Sequence, residues 1–277
     1  MASHSDIAAR VSVSIDAGVA HVQLTRPDKR NALDDAMFHA IAQAGERLKN
    51  DAVVRAVVLS GEGPSFCAGL DFGSFQKMGD GGAGDGSQTA AGLMRDDRIT
   101  HLAQQIAWVW QEVPVPVIAA LQGHALGGGM QLALGADVRI AHPDTKMSMR
   151  EVHWGLIPDM TGTLMLSRLV RDDVMKELVF TGRILPASEG AQLGLVTKLS
   201  NTPVDDAMAM AREIAGRSPD AVRGAKKLIN RLSNAGAADH FAAEREIIFK
   251  LIGSANQVEA ITANFENRAP KFSDAKN

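Results

Sequence analysis

"GHALGGGMQLALGADVRIAH", residues 123–142, decides how this chain folds. From Met130 to Ala136 the pattern is that of a buried helix, yet Gly127, Gly128 and Gly129 occupy its start. Glycine inside a helix is less favourable than alanine by roughly 1 kcal/mol. A core helix that opens with three of them needs a reason in its surroundings. A helix N-terminus leaves backbone N–H groups without internal partners and carries the positive end of the macrodipole, so it can receive an anion or a developing oxyanion. With no Cβ in the way, a ligand can approach that backbone closely. Tight helix–strand packing also uses glycine, and the residues alone leave both readings open. An oxyanion needs a second donor. The loop at Cys67, Ala68 and Gly69, which follows a buried strand and precedes a helix, is the candidate. Neither G-x-G-x-x-G nor G-x-x-x-x-G-K-[ST] occurs, so this is not a dinucleotide fingerprint or a P-loop.

Outward from this stretch the chain alternates strands and helices. Residues 11–25 alternate apolar and polar on both sides of Asp16-Ala17-Gly18, a hairpin signal. Asp34 is placed as an N-cap for a helix in which Met37, Ile41, Ala44 and Leu48 recur at helical spacing. Residues 53–61 read as a buried strand and residues 61–71 as a loop. Residues 79–86 hold five glycines in eight positions, a flexible insert. Residues 95–112 read as a helix carrying Trp108 and Trp110, and 113–123 as a strand with prolines at its entry. After the glycine helix come two short strands, 137–142 and 145–150, then mainly helix, with one last strand at 193–199. The boundary falls at 202/203: residues 1–202 form an α/β core and residues 203–277 a helical region. No sequence repeat is present, but the strand–strand–helix order recurs.

Composition excludes several classes of function. A chain of 277 residues that is 45% hydrophobic can bury a sizeable core. The formal charge of −3 and the lack of a basic run do not favour nucleic acid as a partner. The longest apolar runs, such as 115–121, are too short to span a bilayer, and the N-terminus has the features of neither a signal nor a transit peptide, so the expected compartment is the cytoplasm. A single cysteine, Cys67, leaves no internal disulfide and no multi-cysteine zinc site, and the eight histidines lack H-E-x-x-H-type spacing. No metal site is expected.

The segments RPDKRNALDDAMF (26–38), GPSFCAGLDF (63–72), PVPVIAALQGHALGGGMQLALGADVRIA (114–141) and EVHWGLIPD (151–159) together resemble the crotonase, or enoyl-CoA hydratase/isomerase, superfamily. The likeness runs from about residue 10 to 270, and the paired F-C-A-G-x-D and A-L-G-G-G segments carry most of it. The resemblance implies a ββα spiral core and C-terminal helices that assemble trimers or dimers of trimers. It implies an acyl-CoA thioester substrate, with coenzyme A part of the substrate and no separate cofactor. The backbone N–H groups of Ala68 and Gly128 would bind the thioester oxygen. Lys29, Arg30, Ala32, Ala68, Gly69, Leu70 and Asp71 would lie along the substrate, and Lys271 and Phe272 would reach coenzyme A, in this family that of a neighbouring subunit. Separately, the glycine density of the 79–86 insert and its place after Asp71 lead to the expectation that it is mobile without ligand and partly orders over the acyl chain.

The acid–base groups follow from the same likeness. Hydratases of this family commonly hold water between two glutamates. The first position is Gln131 here and the second is Glu151. Glutamine hydrogen-bonds a water but does not take up its proton near neutral pH. A further acid, Asp159, stands in GLIPDMTGT, and Glu151-x7-Asp159 together with the long insert resembles the dienoyl-CoA isomerase branch. That branch carries aspartate where this chain has Gln131. The expectation is an enolate-forming enzyme with Glu151 as principal acid/base, Asp159 assisting and Gln131 orienting substrate or water, isomerisation ahead of hydration. The competing readings are hydration, a non-catalytic acyl-CoA binder of the same fold, and RNA binding. In their plainer readings Glu151 is an exposed loop acid and Asp159 a helix N-cap. Cys67 has no identifiable histidine partner, and His124 reads as structural.

Overall fold

A computed structural model describes residues 4–79, 94 and 98–273. A short helix α1 (His4–Ala8) precedes the hairpin β1 (Val11–Asp16) and β2 (Val19–Leu24), whose turn puts Ala17 and Gly18 at positive φ. Helix α2 (Asp35–Lys49) begins as the sequence predicts, with the Asp34 side chain accepting from the Met37 N–H at 2.8 Å. Strand β3 (Ala56–Gly61) follows, then α3 (Phe72–Gly79) and α4 (Leu102–Glu112). Strands β4 (Val117–Leu121) and β5 (His124–Leu126) lead into α5 (Gly128–Leu134), the glycine helix. Strands β6 (Val138–Ala141) and β7 (Lys146–Ser148) precede α6 (Gly162–Leu166) and α7 (Asp172–Thr181). Strand β8 (Leu185–Pro186), α8 (Ala187–Leu193) and β9 (Lys198–Leu199) complete the sheets. Four helices end the chain: α9 (Pro203–Ala215), α10 (Pro219–Ser233), α11 (Ala237–Leu251) and α12 (Ala255–Phe265).

The strand–strand–helix order winds between two sheets. The larger runs β1-β2-β3-β4-β6-β9, antiparallel only at β1/β2, and the smaller runs β5-β7-β8. Strands buried on both faces need near-continuous apolar residues, and β4 and the first four residues of β3 supply them. Val57, Leu59, Val117, Ala119 and Leu121 face the main core, with α2, α4 and α5. Ala56, Val58, Ile118 and Ala120 face the other way, onto Ala207, Ala211 and Ala215 of α9. The first helix past Pro203 therefore lies directly on the sheet. Helix α11 reaches the main core too, with Phe241 edge-on to Trp108 at 4.9 Å between centroids. Lys226 of α10 is buried and donates to the Trp110 and Val115 carbonyls and to Asp137.

Two expectations change. The helix read over 95–112 begins only at Leu102. His101 is its N-cap, with Nδ1 accepting from the Gln104 N–H and the Gln104 side chain answering in a capping box. The strand read over 193–199 shrinks to Lys198–Leu199, because α8 runs through Leu193 and turns on Gly194 at φ +96°. Beyond Gly79, which closes α3, the 79–86 insert lies outside the described residues.

Candidate active site

Each glycine at the head of α5 has its own cause. Gly127 sits at φ +51°, a region that side-chain-bearing residues rarely enter. A Cβ on Gly128 would stand 2.9 Å from Leu33 Cδ1 and 3.0 Å from Met160 Sδ. A Cβ on Gly129 would stand 2.3 Å from the Cys67 carbonyl oxygen. Backbone packing thus requires Gly129 and backbone shape Gly127, while at Gly128 a side chain would need the ends of Leu33 and Met160 to move. The same packing brings the two glycine segments side by side. Cys67 pairs with Ala125, and a Cβ on Gly69 would lie 2.6 Å from the Leu126 carbonyl and 3.7 Å from the Gly128 nitrogen.

The Gly128 N–H, first of its helix, has no hydrogen-bond partner among the described residues. The Ala68 N–H differs: it donates to the Arg30 carbonyl at 3.0 Å. A thioester oxygen would have to share or displace that carbonyl. Arg30 and Asn31 are both in the left-handed region, φ 49° and 55°, and the Asn31 side chain pins the turn through Arg26, Glu62 and Ser65.

These segments wall a cavity of about 520 Å³, which Gln131, Glu151 and Asp159 also line. Gln131 is fully buried and both ends of its amide are engaged. Its Nε2 donates to Glu151 Oε1 at 2.6 Å, and its Oε1 accepts from the N–H groups of Met160 and Gly162. Glu151 opens a 3-10 turn, Glu151–Trp154, at 8% exposure. Its Oε2 is buried without a partner. Burial, only partly offset by the hydrogen bonds it accepts, lifts this carboxyl to about 7. Asp159 is lifted to about 8, first by burial, then by the charges of Glu244 and Glu151. The exposed-loop reading of Glu151 therefore fails. So does the N-cap reading of Asp159: the cap of α6 is Thr161, which makes no side-chain cap bond. Two acids that hold protons near neutral pH in one cavity are suited to general acid–base work.

Lys29, Arg30, Ala32, Ala68, Gly69, Leu70 and Asp71 all line the cavity, the first two exposed at its mouth. Asp71 is also committed to the fold, paired with Arg26 at 2.7 Å and accepting from the Gly73 N–H at the start of α3. Lys271 and Phe272 do not line this cavity. The Lys271 N–H donates to Glu259, and Phe272 is exposed. Cys67 is no nucleophile in this state: it is fully buried, its Sγ donates to the Asn31 carbonyl, and burial pushes it up to about 12. His124 packs on Ser65 through Nδ1 at 2.9 Å, as a structural residue would.

Other lining residues are not singled out as site residues by their sequence pattern. Arg150 adds a cation. Trp154, Leu156, Ile248, Phe249 and Ile252 make an apolar wall, three of them from or just after α11. The apolar run at 241–252 was the available signal, and helical spacing alone does not separate a core face from a pocket wall. Among the described residues no group of three or more His, Cys, Asp or Glu side chains is placed to hold a metal ion, and no helix is long and apolar enough to cross a membrane.

The enoyl-CoA hydratase/isomerase family model matches residues 14–275. Mouse enoyl-CoA hydratase domain-containing protein 2, mitochondrial, is 35% identical, covering 92% of this chain and 84% of the relative. A probable enoyl-CoA hydratase of Mycobacterium bovis is 31% identical over 95% of this chain and 97% of its own. The crystal structure of an enoyl-CoA hydratase/isomerase from Pseudoalteromonas atlantica T6c superposes with a TM-score of 0.80 at 27% identity, covering 95% of this chain and all of that one.

Proposed function

From its place in the enoyl-CoA hydratase/isomerase family, to which the chain belongs, we propose that it moves a double bond along the acyl chain of a coenzyme A thioester. The thioester oxygen takes the Gly128 N–H, and the Ala68 N–H once the Arg30 carbonyl gives way. These donors and the α5 dipole stabilise an enolate. Glu151 Oε2, the unpartnered carboxyl oxygen, removes a proton from the carbon chain. Asp159, protonated at neutral pH, supplies one farther along it. Lys29 and Arg30 meet the phosphates of coenzyme A, and Lys271 with Phe272 serves a neighbouring copy. No metal or separate cofactor is needed.

One observation carries this reading. Gln131, which stands against Glu151, gives it one of its two N–H donors and gives its oxygen to two backbone N–H groups; as an amide it is no second carboxylate to activate water there. Of the other acids that line the cavity, Asp28 is exposed and Asp71 is paired with Arg26, which leaves Asp159 as the second acid for proton transfer. Hydration is the second reading, favoured by the names of the M. bovis relative and others like it. A panel of enoyl- and dienoyl-CoA thioesters, with separate readouts for bond migration and water addition, discriminates the two. Water addition as the faster reaction across the panel would overturn isomerisation.

We also propose a trimer or dimer of trimers, in the cytoplasm. Leu228, Ile229 and Leu232 stand on one side of α10 with 68%, 63% and 85% of their surface exposed, while Lys226 fixes the helix to the core from the other. Such a stripe suits a protein partner, and a second copy is the one this assembly needs. Sedimentation of the intact chain as a monomer would refute it.

A further inference from the structure

The mechanism above leaves one buried acid unused. Glu244 of α11 is 4% exposed and makes four contacts. Its Oε2 accepts from Gln104 Nε2 at 2.9 Å and from the Thr161 N–H at 3.2 Å. Its Oε1 accepts from Thr163 Oγ1 at 3.2 Å and stands 3.4 Å from His240 Nε2. His240 is itself 2.7 Å from Thr163 Oγ1 and is partly exposed to solvent.

What Glu244 holds is the turn that carries Asp159. Three consecutive N–H groups point at two side-chain oxygens: Met160 and Gly162 at Gln131 Oε1, and Thr161, between them, at Glu244 Oε2. Thr161 is in the left-handed region at φ +69°, fully buried, with its hydroxyl unpartnered. A β-branched residue enters that region only where surrounding contacts impose it. The clamp from α5 on one side and α11 on the other is such a set of contacts.

We propose that Glu244 is a positioning residue for Asp159: its carboxylate holds the 159–162 turn against the pocket and, through Thr163 and His240, links the underside of that turn to solvent. The direction of the Asp159 shift agrees, since Glu244 is the larger of the two charges acting on it. The other charged or titratable groups around the clamp are Glu151, His101, His240, Arg168 and Arg245. His101 is held neutral by burial. His240 is raised chiefly by its hydrogen bond to Glu244. Arg168 and Arg245 act on His240 and Glu244 respectively.

The inference rests on the acid–base reading of Asp159, so its test includes a measurement independent of turnover. In pH-difference infrared spectra near neutrality, protonated carboxyl bands report the buried acids, and Asp159→Asn identifies the Asp159 band. Glu244→Gln keeps size but removes the charge and turns one of the two acceptor oxygens into a donor. It should lower the Asp159 midpoint by about one pH unit and cost on the order of tenfold or more in kcat, with KM little changed. Glu244→Asp keeps the charge and draws it away from Thr161. It should retain most of the midpoint and still lose kcat, and it carries the test if the glutamine variant does not fold. An unmoved Asp159 band in Glu244→Gln, or wild-type kcat in Glu244→Asp, overturns the proposal. A moved band in a protein that isomerises nothing supports the clamp and refutes only the reaction assigned to Asp159.

Discussion

Glu151→Gln is expected to stabilise the protein and abolish most of its turnover together. The Glu151 carboxyl sits near 7 instead of 4.5 because burial penalises its charge. Between those values the folded chain keeps a proton that the unfolded chain has released. Stability therefore falls as pH rises through that window and is flat above it. The gap, 7 minus 4.5, is 2.5 units, which at about 1.4 kcal/mol per unit is about 3 kcal/mol. Glutamine keeps the acceptor for Gln131 Nε2, and its NH2 falls where Oε2 already lacks a partner. It thus adds no new unsatisfied position while removing the charge. Urea denaturation of both proteins at about pH 5 and about pH 8 is the assay. The two should be close at the lower pH, with the variant ahead by about 3 kcal/mol at the higher. Turnover should fall on the order of 100-fold or more, with acyl-CoA affinity kept. Parallel stability–pH curves would show that Glu151 does not hold its proton in the way argued, and undiminished solvent-deuterium exchange would remove it as the base.

Asp159→Asn should reduce bond migration more than water addition, as read by proton NMR of the two products; equal losses would deny it a separate role. Gln131→Glu keeps the acceptors for Met160 and Gly162 but sets a second carboxylate 2.6 Å from Glu151. Two charges at that distance repel by about 6 kcal/mol at an effective dielectric of 20, so the pair should retain one proton at neutral pH. Water addition should rise and its pH–rate profile should show two ionisations; a wild-type profile would count against the coupling. Gly129→Ala forces a Cβ to within 2.3 Å of the Cys67 carbonyl and should destabilise by about 1–3 kcal/mol in denaturant; an unchanged midpoint would refute the packing account of that glycine. Leu232→Glu should shift the sedimenting species toward monomer, and an unaltered assembly would exclude α10 from the interface.

Local patterns carried the fold, and distance along the chain hid much of the site. The hairpin at Asp16-Ala17-Gly18, the Asp34 cap and the doubly buried β3 and β4 are all written in neighbouring residues, and all were readable. The start of α4 was not, because histidine is an uncommon N-cap and its role appears only when Nδ1 meets the Gln104 N–H. The three glycines raised the right question but admitted two answers. Packing against Cys67, Leu33 and Met160 bears on two of them, and the same packing sets Gly128 on the cavity wall. The sequence shows that Gln131 is no acid. It cannot show that the amide donates to one carboxyl and, with Glu244, clamps the turn bearing another, since the partners stand 20, 29 and 31 residues away from Gln131 and Glu244 is 83 from Thr161. A residue's type fixes what protons it can hold. Burial raises both Glu151 and Asp159, and Glu244, on a helix that enters after the core strands are complete, raises Asp159 further, so the proton on that acid depends on a C-terminal helix as well as on the motifs that line the pocket.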